Sequence, residues 1–226
     1  MHARFLGHGA VLLTAEEGTD LLIDPFNPGG FGGKMAYRPI EHRADAVVCT
    51  HDHRDHSAVG DLPNEPQRLS GRHESFGPFE VRRLRAAHDE YGGRRRGGHV
   101  DILRIDVDGL RVVHLSDVGH SPRPGLIEAI GRPDIVFLPV GGYFTIGACQ
   151  GFEWWRRLAP RRVVPVHYRN RSCRLPLAER RVFESYLCAP TIAGDSHVEL
   201  ESDMITFGRS VVLLNPACEA VPEDAR

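Results

Sequence analysis

One short segment, His-Asp-His-Arg-Asp-His at positions 51–56, constrains the fold of this chain more than any other. It places three imidazoles and two carboxylates within six residues, directly after the apolar run 46–49. No single helix or strand points these side chains at one spot, whereas a strand that ends in a tight turn can. Solvated histidines on a polar loop are the alternative, but this density of imidazole and carboxylate favours a metal cluster. The candidate ligands in the segment are His51, His53, Asp55 and His56.

Composition sets broad bounds on the rest of the chain. With 226 residues, 41% of them hydrophobic and 26% charged, the sequence is typical of an ordinary globular protein, and we expect one domain over residues 1–226. A formal net charge of -2 provides no field that would draw the protein to nucleic acid or acidic lipid. The 13 histidines are unusual, and several lie near the candidate metal site.

The N-terminal residues and the cysteines bear on the cellular compartment. We find no signal-peptide pattern in the first residues and no apolar run long enough to span a bilayer. The cysteines number five and form no Cys-x-x-Cys pair, which argues against a disulfide framework and against a zinc ribbon. The sequence therefore predicts a cytoplasmic protein without membrane association.

Apolar runs separated by turn signals predict many strands and few helices. The predicted strands are residues 3–6, 11–14, 21–23, 46–49, 79–86, 100–107, 110–115, 135–138, 162–166, 198–201 and 210–214. The predicted helices are residues 124–130, 152–158 and 177–187. Residues 16–19 and Asp108-Gly109 are typical of hairpin turns. The glycine-rich loop 25–33 follows a strand that ends near Asp24, so we expect it close to the histidine segment.

Three further candidate ligands follow predicted strands, namely His88, Asp117 and His167. Strand ends converge at one edge of a sheet, where α/β proteins commonly build their sites. With the first segment they make five imidazoles and two carboxylates, too many for one tetrahedral ion. The set suits two ions that share a carboxylate and a water. Nitrogen and oxygen donors without thiolate favour Zn²⁺, and Mn²⁺ or Fe²⁺ stay open.

The chain resembles the metallo-β-lactamase-fold hydrolases, in the branch that includes bacterial ascorbate-6-phosphate lactonase and many uncharacterised metal-dependent hydrolases. The resemblance covers roughly residues 3–214. The segments that carry it are LGHGA (6–10), LIDPF (22–26), THDHRDH (50–56), AHD (87–89), HLSDVGH (114–120), LPVGGYFT (138–145) and VPVHY (164–168). The histidine segment is the most specific of them.

The resemblance implies a fold and a set of ligands. The implied fold class is α/β (α+β), a four-layer αββα sandwich of two mixed β-sheets flanked by helices. The implied ligands are His51, His53 and His88 for one metal, Asp55, His56 and His167 for the second, and Asp117 as a bridge. Asp24 would hold the histidine loop, as partners behind metal ligands do.

Two features depart from the family pattern. Ser116 precedes the bridging aspartate where many relatives have glycine, which affects the loop geometry there. Secreted β-lactamases carry a signal peptide and this sequence shows none, which argues against antibiotic hydrolysis as the native role.

Four other residues are candidates for contacts to substrate or to the metal ligands. His8 lies in a Gly-His-Gly turn that the resemblance places near the metal rim, and a plain turn residue is the alternative. His120 follows the bridging aspartate by three residues. Tyr143 and Thr145, on the Gly-Gly loop, offer hydroxyls to an oxyanion, although turn formation alone explains the glycine pair. We interpret His114 as a satisfied histidine within a sheet.

The favoured hypothesis is a hydrolase that acts on a lactone, ester or amide of a small metabolite. Two metal ions would hold a water and lower its pKa, so that hydroxide attacks the substrate, with Asp55 as ligand and orienting group. The second hypothesis is a phosphodiesterase or nuclease, supported by the arginines at 94–96 and 169–171, although no basic surplus accompanies them. The third is a metal-binding protein without turnover. The oligomeric state is open, including a homo-oligomer.

Overall fold

Two mixed β-sheets that share one hydrophobic core form the fold of the computed structural model. The structure describes residues 1–95, 97–187, 191–199 and 210–220. The two sheets contain six and eight of the described strands. These sheets confirm the sandwich predicted from the sequence.

The first sheet has the order β13-β1-β2-β3-β4-β5. Its strands are β1 (His2–Gly7), β2 (Ala10–Thr14), β3 (Asp20–Ile23), β4 (Ala46–Val48), β5 (Gln67–Arg68) and β13 (His197–Glu199). Each strand is antiparallel to the next in the series β13, β1, β2 and β3. Strands β3, β4 and β5 run parallel to one another. Because β3 and β4 are parallel, the residues that follow them emerge at the same edge.

The second sheet has the order β12-β14-β11-β10-β9-β8-β7-β6. Its strands are β6 (His73–Phe76), β7 (Phe79–Ala87), β8 (His99–Val107), β9 (Leu110–His114), β10 (Ile135–Pro139), β11 (Arg162–Val166), β12 (Thr191–Ala193) and β14 (Ser210–Leu213). Strands β9, β10, β11, β14 and β12 run parallel, and β6 to β9 form an antiparallel meander. Asp108 and Gly109 both have positive φ in the tight β8–β9 turn, as the sequence predicts.

Helices are short and few among the described residues. They are α1 (Gly30–Gly33), α2 (Pro124–Ile130), α3 (Ala148–Leu158) and α4 (Arg180–Glu184), with a 3₁₀ turn at Val59–Asp61. None of the described helices has the length and apolar character that crossing a bilayer requires.

The main core lies between the sheets, and a second cluster covers the outer face of the first sheet. Trp154 of α3 and Phe183 of α4 belong to the main core and are fully buried. The outer cluster contains Phe26, Met35 and Tyr37, all from the long connection between β3 and β4. On this side the cover therefore consists mostly of loops, with α1 as a single turn.

Several element boundaries differ from the sequence prediction. The predicted helix 177–187 is helical only at Arg180–Glu184, because Glu179 is extended and the Ala178 carbonyl accepts a bond from the Arg169 N–H instead of from a following helical turn. Helix α3 begins four residues earlier than predicted, at Ala148. Strands β5, β6 and β12 were not predicted; β5 is two exposed polar residues and gives no apolar signal. Of the predicted strand 198–201, residues 200 and 201 lie outside the described residues.

Candidate metal centre

Seven predicted ligands meet at one edge of the sandwich. Each follows the end of a strand: the histidine segment comes after β4, His88 after β7, Asp117 after β9 and His167 after β11. Together with His8, which is not one of the seven, they form three overlapping groups in which all ligating atoms lie within 4.8 Å of one another. The groups are His51, His53 and His88; His8, Asp55, His56 and His167; and His51, His56 and Asp117.

Asp117 lies between the two histidine sets and is 3% exposed. Its Oδ1 is 3.3 Å from Nε2 of His56. Its Oδ2 is 3.5 Å from Nε2 of His88 and 3.4 Å from Nε2 of His167. One carboxylate therefore faces members of both sets, as a shared ligand must.

Buried polar atoms in the cluster lack hydrogen-bond partners among the described residues. They include Nε2 of His56, Nε2 of His167 and Oδ1 of Asp117. Polar groups this deeply buried are normally hydrogen-bonded, because desolvation without a partner costs free energy. Imidazole nitrogens and a carboxylate oxygen that face one another fit divalent cations of the zinc type.

Asp24 fixes the orientation of His56. The Asp24 carboxylate is fully buried, and the Nδ1–H of His56 donates to its Oδ2 at 2.9 Å. This bond places a proton on Nδ1, so Nε2 is the nitrogen that faces Asp117 and can bind a cation. Although burial raises it, the contact with His56 lowers the pKa of Asp24, so the group stays a carboxylate. The structure thus gives Asp24 the contact that a ligand-orienting residue needs.

Thr50, which the sequence analysis did not single out, joins three parts of this network. Its backbone N–H and its hydroxyl donate to Asp24 at 2.7 and 2.8 Å. The same hydroxyl accepts a bond from Ser116 at 2.7 Å and lies 2.9 Å from Nδ1 of His51. A hydroxyl has one proton and two lone pairs, so His51 must donate its Nδ1–H. The lone pair that a metal would take is then on Nε2, which lies 3.0 Å from Nδ1 of His53. The signal in the sequence was its position directly before the histidine segment.

A cavity of about 550 Å³ opens onto the cluster. Phe31, Tyr143 and Phe144 form aromatic walls, and Asp55, His88 and Asp117 lie among the lining residues. Phe31 and Tyr143 are 50% and 59% exposed, so their rings are accessible to a ligand that enters the cavity. The volume suits a small molecule.

A family model for the β-lactamase superfamily domain matches residues 3–167, well over half of the chain. The chain belongs to the metallo-β-lactamase superfamily. Two UPF0173 metal-dependent hydrolases are similar to it: one from Desulforamulus reducens, 30% identical over 197 residues, and one from Methanoregula boonei, 31% identical over 192 residues. The alignments cover 74% of this chain in both cases, and 84% and 82% of the relatives.

The fold of this superfamily member also matches a solved structure. It resembles a protein from Thermotoga maritima that is assigned to the Zn-dependent hydrolases of the metallo-β-lactamase superfamily, with a TM-score of 0.74 and 22% identity. The match covers 94% of this chain and 97% of the other. At this identity the likeness supports the fold alone. Together with the UPF0173 relatives, the family assignment makes the protein a metal-dependent hydrolase with a His/Asp cluster able to bind metal.

His8 reaches the cluster of this superfamily member from the first hairpin. It is 1% exposed, and its Nε2–H donates to Oδ2 of Asp55 at 3.0 Å. Its ring centroid lies 4.1 Å from that of His167. Although burial lowers it, the hydrogen bond and charge of Asp55 raise the pKa of His8 to about 9. His8 is therefore more than a turn residue, because it holds the Asp55 carboxylate.

The protonation states of His51, His167 and Asp117 suit metal ligands. His56 must first release a proton, because Asp117 and Asp55 raise its pKa well above the usual range although burial lowers it. Burial and the nearby His56 lower the pKa of His51 to about 4. Burial lowers the pKa of His167 to about 3, so both rings are neutral near pH 7. Although burial raises it, the neighbouring His167 and His56 hold the pKa of Asp117 well below its usual range. Neutral imidazoles and an ionised carboxylate are the forms that bind divalent cations.

Two glycines allow the loops of the site to approach the histidines closely. A Cβ on Gly9 would lie 2.8 Å from Cε1 of His56. Gly97 has φ +70°, and a Cβ there would lie 2.8 Å from both Nε2 and Cε1 of His53. Any larger residue at either position would displace a candidate ligand.

The remaining predicted residues differ in whether they reach the cavity or the metal cluster. Tyr143 lines the aromatic cavity. The Thr145 hydroxyl bonds to the Ile146 carbonyl. His120 is buried beside Trp154, donates from Nδ1 to the Ser121 carbonyl, and belongs to none of the three ligand groups among the described residues. His114 bonds through both ring nitrogens, to the Gly9 carbonyl and the Ser116 N–H, and confirms the interpretation as a satisfied sheet histidine.

We predict that Thr50→Val weakens metal binding by about 10–100-fold, the usual effect of removing a partner behind a metal ligand. Valine keeps the shape but cannot donate to Asp24 or accept from His51. Zinc affinity measured by competition with a chromophoric chelator tests this. Thr19→Val, at the β2–β3 turn, is the control and should bind zinc like the wild type. Unchanged affinity in Thr50→Val would show that the Thr50 hydroxyl does not orient the ligands.

Proposed function

We propose that the protein is a dinuclear zinc hydrolase that cleaves a lactone, ester or amide of a small metabolite. In this proposal His51, His53 and His88 hold one ion, and Asp55, His56 and His167 hold the other. Asp117 binds both ions. Mn²⁺ or Fe²⁺ would fit the same nitrogen and oxygen donors.

The observation that carries the proposal is the unpartnered set of buried ligand atoms around Asp117. Three such atoms, Nε2 of His56, Nε2 of His167 and Oδ1 of Asp117, belong to side chains from three separate strand ends. A single ion would leave several of the seven side chains without a role, because structural and catalytic zinc sites use three or four protein ligands.

Asp55 is the residue that we assign to catalysis. Two divalent ions, when bound, supply Lewis acidity that acidifies a water and polarises the carbonyl of the substrate. The hydrogen bond from His8 restrains the Asp55 carboxylate, which is mostly buried. Asp55 can thus accept a hydrogen bond from the attacking water in a fixed direction.

The aromatic cavity supports a small carbonyl substrate rather than a nucleic-acid strand. Phe31, Tyr143 and Phe144 provide flat apolar surfaces around the cluster. Such walls favour an apolar acyl group and exclude bulk water from the reacting carbonyl. Arg54 also lines this cavity, but the formal net charge of -2 provides no basic surplus for a nucleic-acid strand.

His53→Ala tests the proposal directly. Loss of one ligand should reduce bound metal and lower kcat/KM by more than about 100-fold, the upper range seen even for partners behind the ligands. Metal content by mass spectrometry, paired with a panel of lactones, aryl esters and bis-p-nitrophenyl phosphate, provides the readout. His73→Ala is the matched control, since His73 is an exposed histidine on β6 that pairs with Glu80. Full metal content in His53→Ala would contradict the ligand assignment.

A further inference from the structure

A second cavity, of about 680 Å³, lies on the other side of His53 from the aromatic cavity. We call it the basic groove. Its lining includes His51 and His53 of the metal cluster, His99, and the cationic side chains Arg68, Arg83 and Arg85. His53 and Gly97 line both cavities, so the two are neighbours along one ligand.

Arg83 forms a fixed wall of the basic groove. Its Nη1 donates to the Cys49 carbonyl at 2.8 Å and to Asp101 at 3.0 Å, and its Nη2 donates to the Leu69 carbonyl at 2.7 Å. These bonds tie the second sheet to the loops that follow β4 and β5 of the first. The groove is therefore a preformed feature of the sandwich, and its charge at Arg83 is balanced by Asp101.

Two other arginines in the groove have no carboxylate partner. The side chain of Arg68 forms neither a hydrogen bond nor an ion pair with the part of the chain that the structure describes. Nη2 of Arg85 donates only to Nδ1 of His99, at 3.1 Å. His99 carries no negative charge, so this bond leaves the positive charge of Arg85 unbalanced. The lining contains three arginines and two aspartates, Asp52 and Asp101, so it carries one excess positive charge.

We propose that the basic groove binds an oxyanion carried by the substrate, a carboxylate or a phosphate monoester. The inference rests on the proposed function, since it makes the substrate an anionic carbonyl compound whose acyl part occupies the aromatic cavity. Guanidinium groups pair with carboxylate and phosphate through two parallel hydrogen bonds. Arg68 and Arg85 are available for such pairs, and the contiguity at His53 lets one small molecule reach both the groove and the metal cluster.

The first test compares two esters of similar shape and different charge, p-nitrophenyl hemisuccinate and p-nitrophenyl butyrate. In Arg68→Gln and Arg85→Gln we expect KM for the anionic ester to rise by about 10-fold or more, the size of one charge-assisted contact, with kcat retained. KM for butyrate should not change. Arg82→Gln is the matched control, because Arg82 is an exposed arginine on β7 that does not line the groove. Equal effects on both esters would overturn the proposal.

The second test measures binding without turnover. Metal-free protein is titrated with inorganic phosphate and, separately, with succinate, by isothermal calorimetry. We expect at least one anion to bind the wild type and Arg82→Gln and to lose about 10-fold in affinity in Arg68→Gln and Arg85→Gln. Stronger binding of phosphate indicates a phosphate monoester, and stronger binding of succinate indicates a carboxylate. Anion binding that is equal in all variants, or absent, would contradict the groove.

The two tests separate the groove from the hydrolase proposal. A wild type that cleaves neither ester, yet shows anion binding that depends on Arg68 and Arg85, counts against the proposed function and supports the groove. Cleavage of both esters with no dependence on either arginine supports the hydrolase and overturns the groove. Thermal unfolding of each variant shows whether it is folded. Arg68→Gln is expected to fold normally, because the Arg68 side chain is exposed and forms no bond with the described residues.

Discussion

We expect Asp117→Ala to abolish measurable hydrolysis and to remove at least one of the two proposed ions. This is the largest effect that we expect, because Asp117 faces Nε2 of His56, His88 and His167 within 3.5 Å and no other described carboxylate lies between the two sets. Without it the histidine rings lose the anion that balances two dications. We expect kcat/KM to fall by more than about 100-fold, since even indirect partners of metal ligands contribute about 10–100-fold.

The control for this variant is Asp61→Asn, an exposed aspartate in the 3₁₀ turn. It should retain metal and activity. Circular dichroism separates loss of metal from loss of fold in Asp117→Ala, because the secondary structure of the sandwich does not depend on this side chain. A variant that keeps two ions and more than a tenth of the activity would show that Asp117 is not the shared ligand.

Asp24→Ala has the second largest expected effect, and it acts on stability as well as on metal. The fully buried carboxylate accepts bonds from His56 and from both the N–H and hydroxyl of Thr50. Removal of one member of a buried charged network leaves the others unpaired and costs about 3–5 kcal/mol of unfolding free energy. Urea unfolding monitored by circular dichroism measures this loss, and zinc titration measures the accompanying loss of affinity.

Backbone conformation must be separated from charge in this experiment. Asp24 has φ 48°, a left-handed conformation that asparagine tolerates better than alanine does. Asp24→Asn therefore removes the charge with little added strain, and we expect it to lose zinc affinity while it retains more stability than Asp24→Ala. Asp108→Asn is the matched control, because Asp108 also has positive φ, at 51°, in the β8–β9 turn. Equal zinc affinity in Asp24→Asn and the wild type would contradict the role of Asp24.

The sequence indicated the ligands because each follows a recognisable strand. The runs before Asp117 and His167 are mostly apolar, and the run before His88 mixes apolar and charged residues. The structure shows them as β7, β9 and β11, which end at the same edge. The sequence also distinguished a structural histidine from the ligands, because His114 was interpreted as a satisfied sheet histidine and bonds through both ring nitrogens. In both cases the prediction depended on the alternation of apolar and polar residues within a strand and on the position where the strand ends.

Other features depend on contacts between distant parts of the chain and were not predictable. The role of Thr50 requires Asp24, Ser116 and His51 to meet at one hydroxyl. The aromatic walls of the cavity come from two loops whose residues Phe31 and Phe144 lie 113 positions apart in the sequence. Helix 177–187 was overpredicted because residues 178 and 179 pair with Arg169, which takes the Ala178 carbonyl that a helix would use.

The central claim is that seven side chains hold a pair of ions. Anomalous diffraction at the zinc absorption edge, from crystals of zinc-loaded protein, tests it most directly. We predict two peaks per chain about 3.5–4 Å apart, one beside His51, His53 and His88 and one beside Asp55, His56 and His167, with Asp117 between them. A single peak at saturating zinc, or peaks away from these residues, would contradict the account.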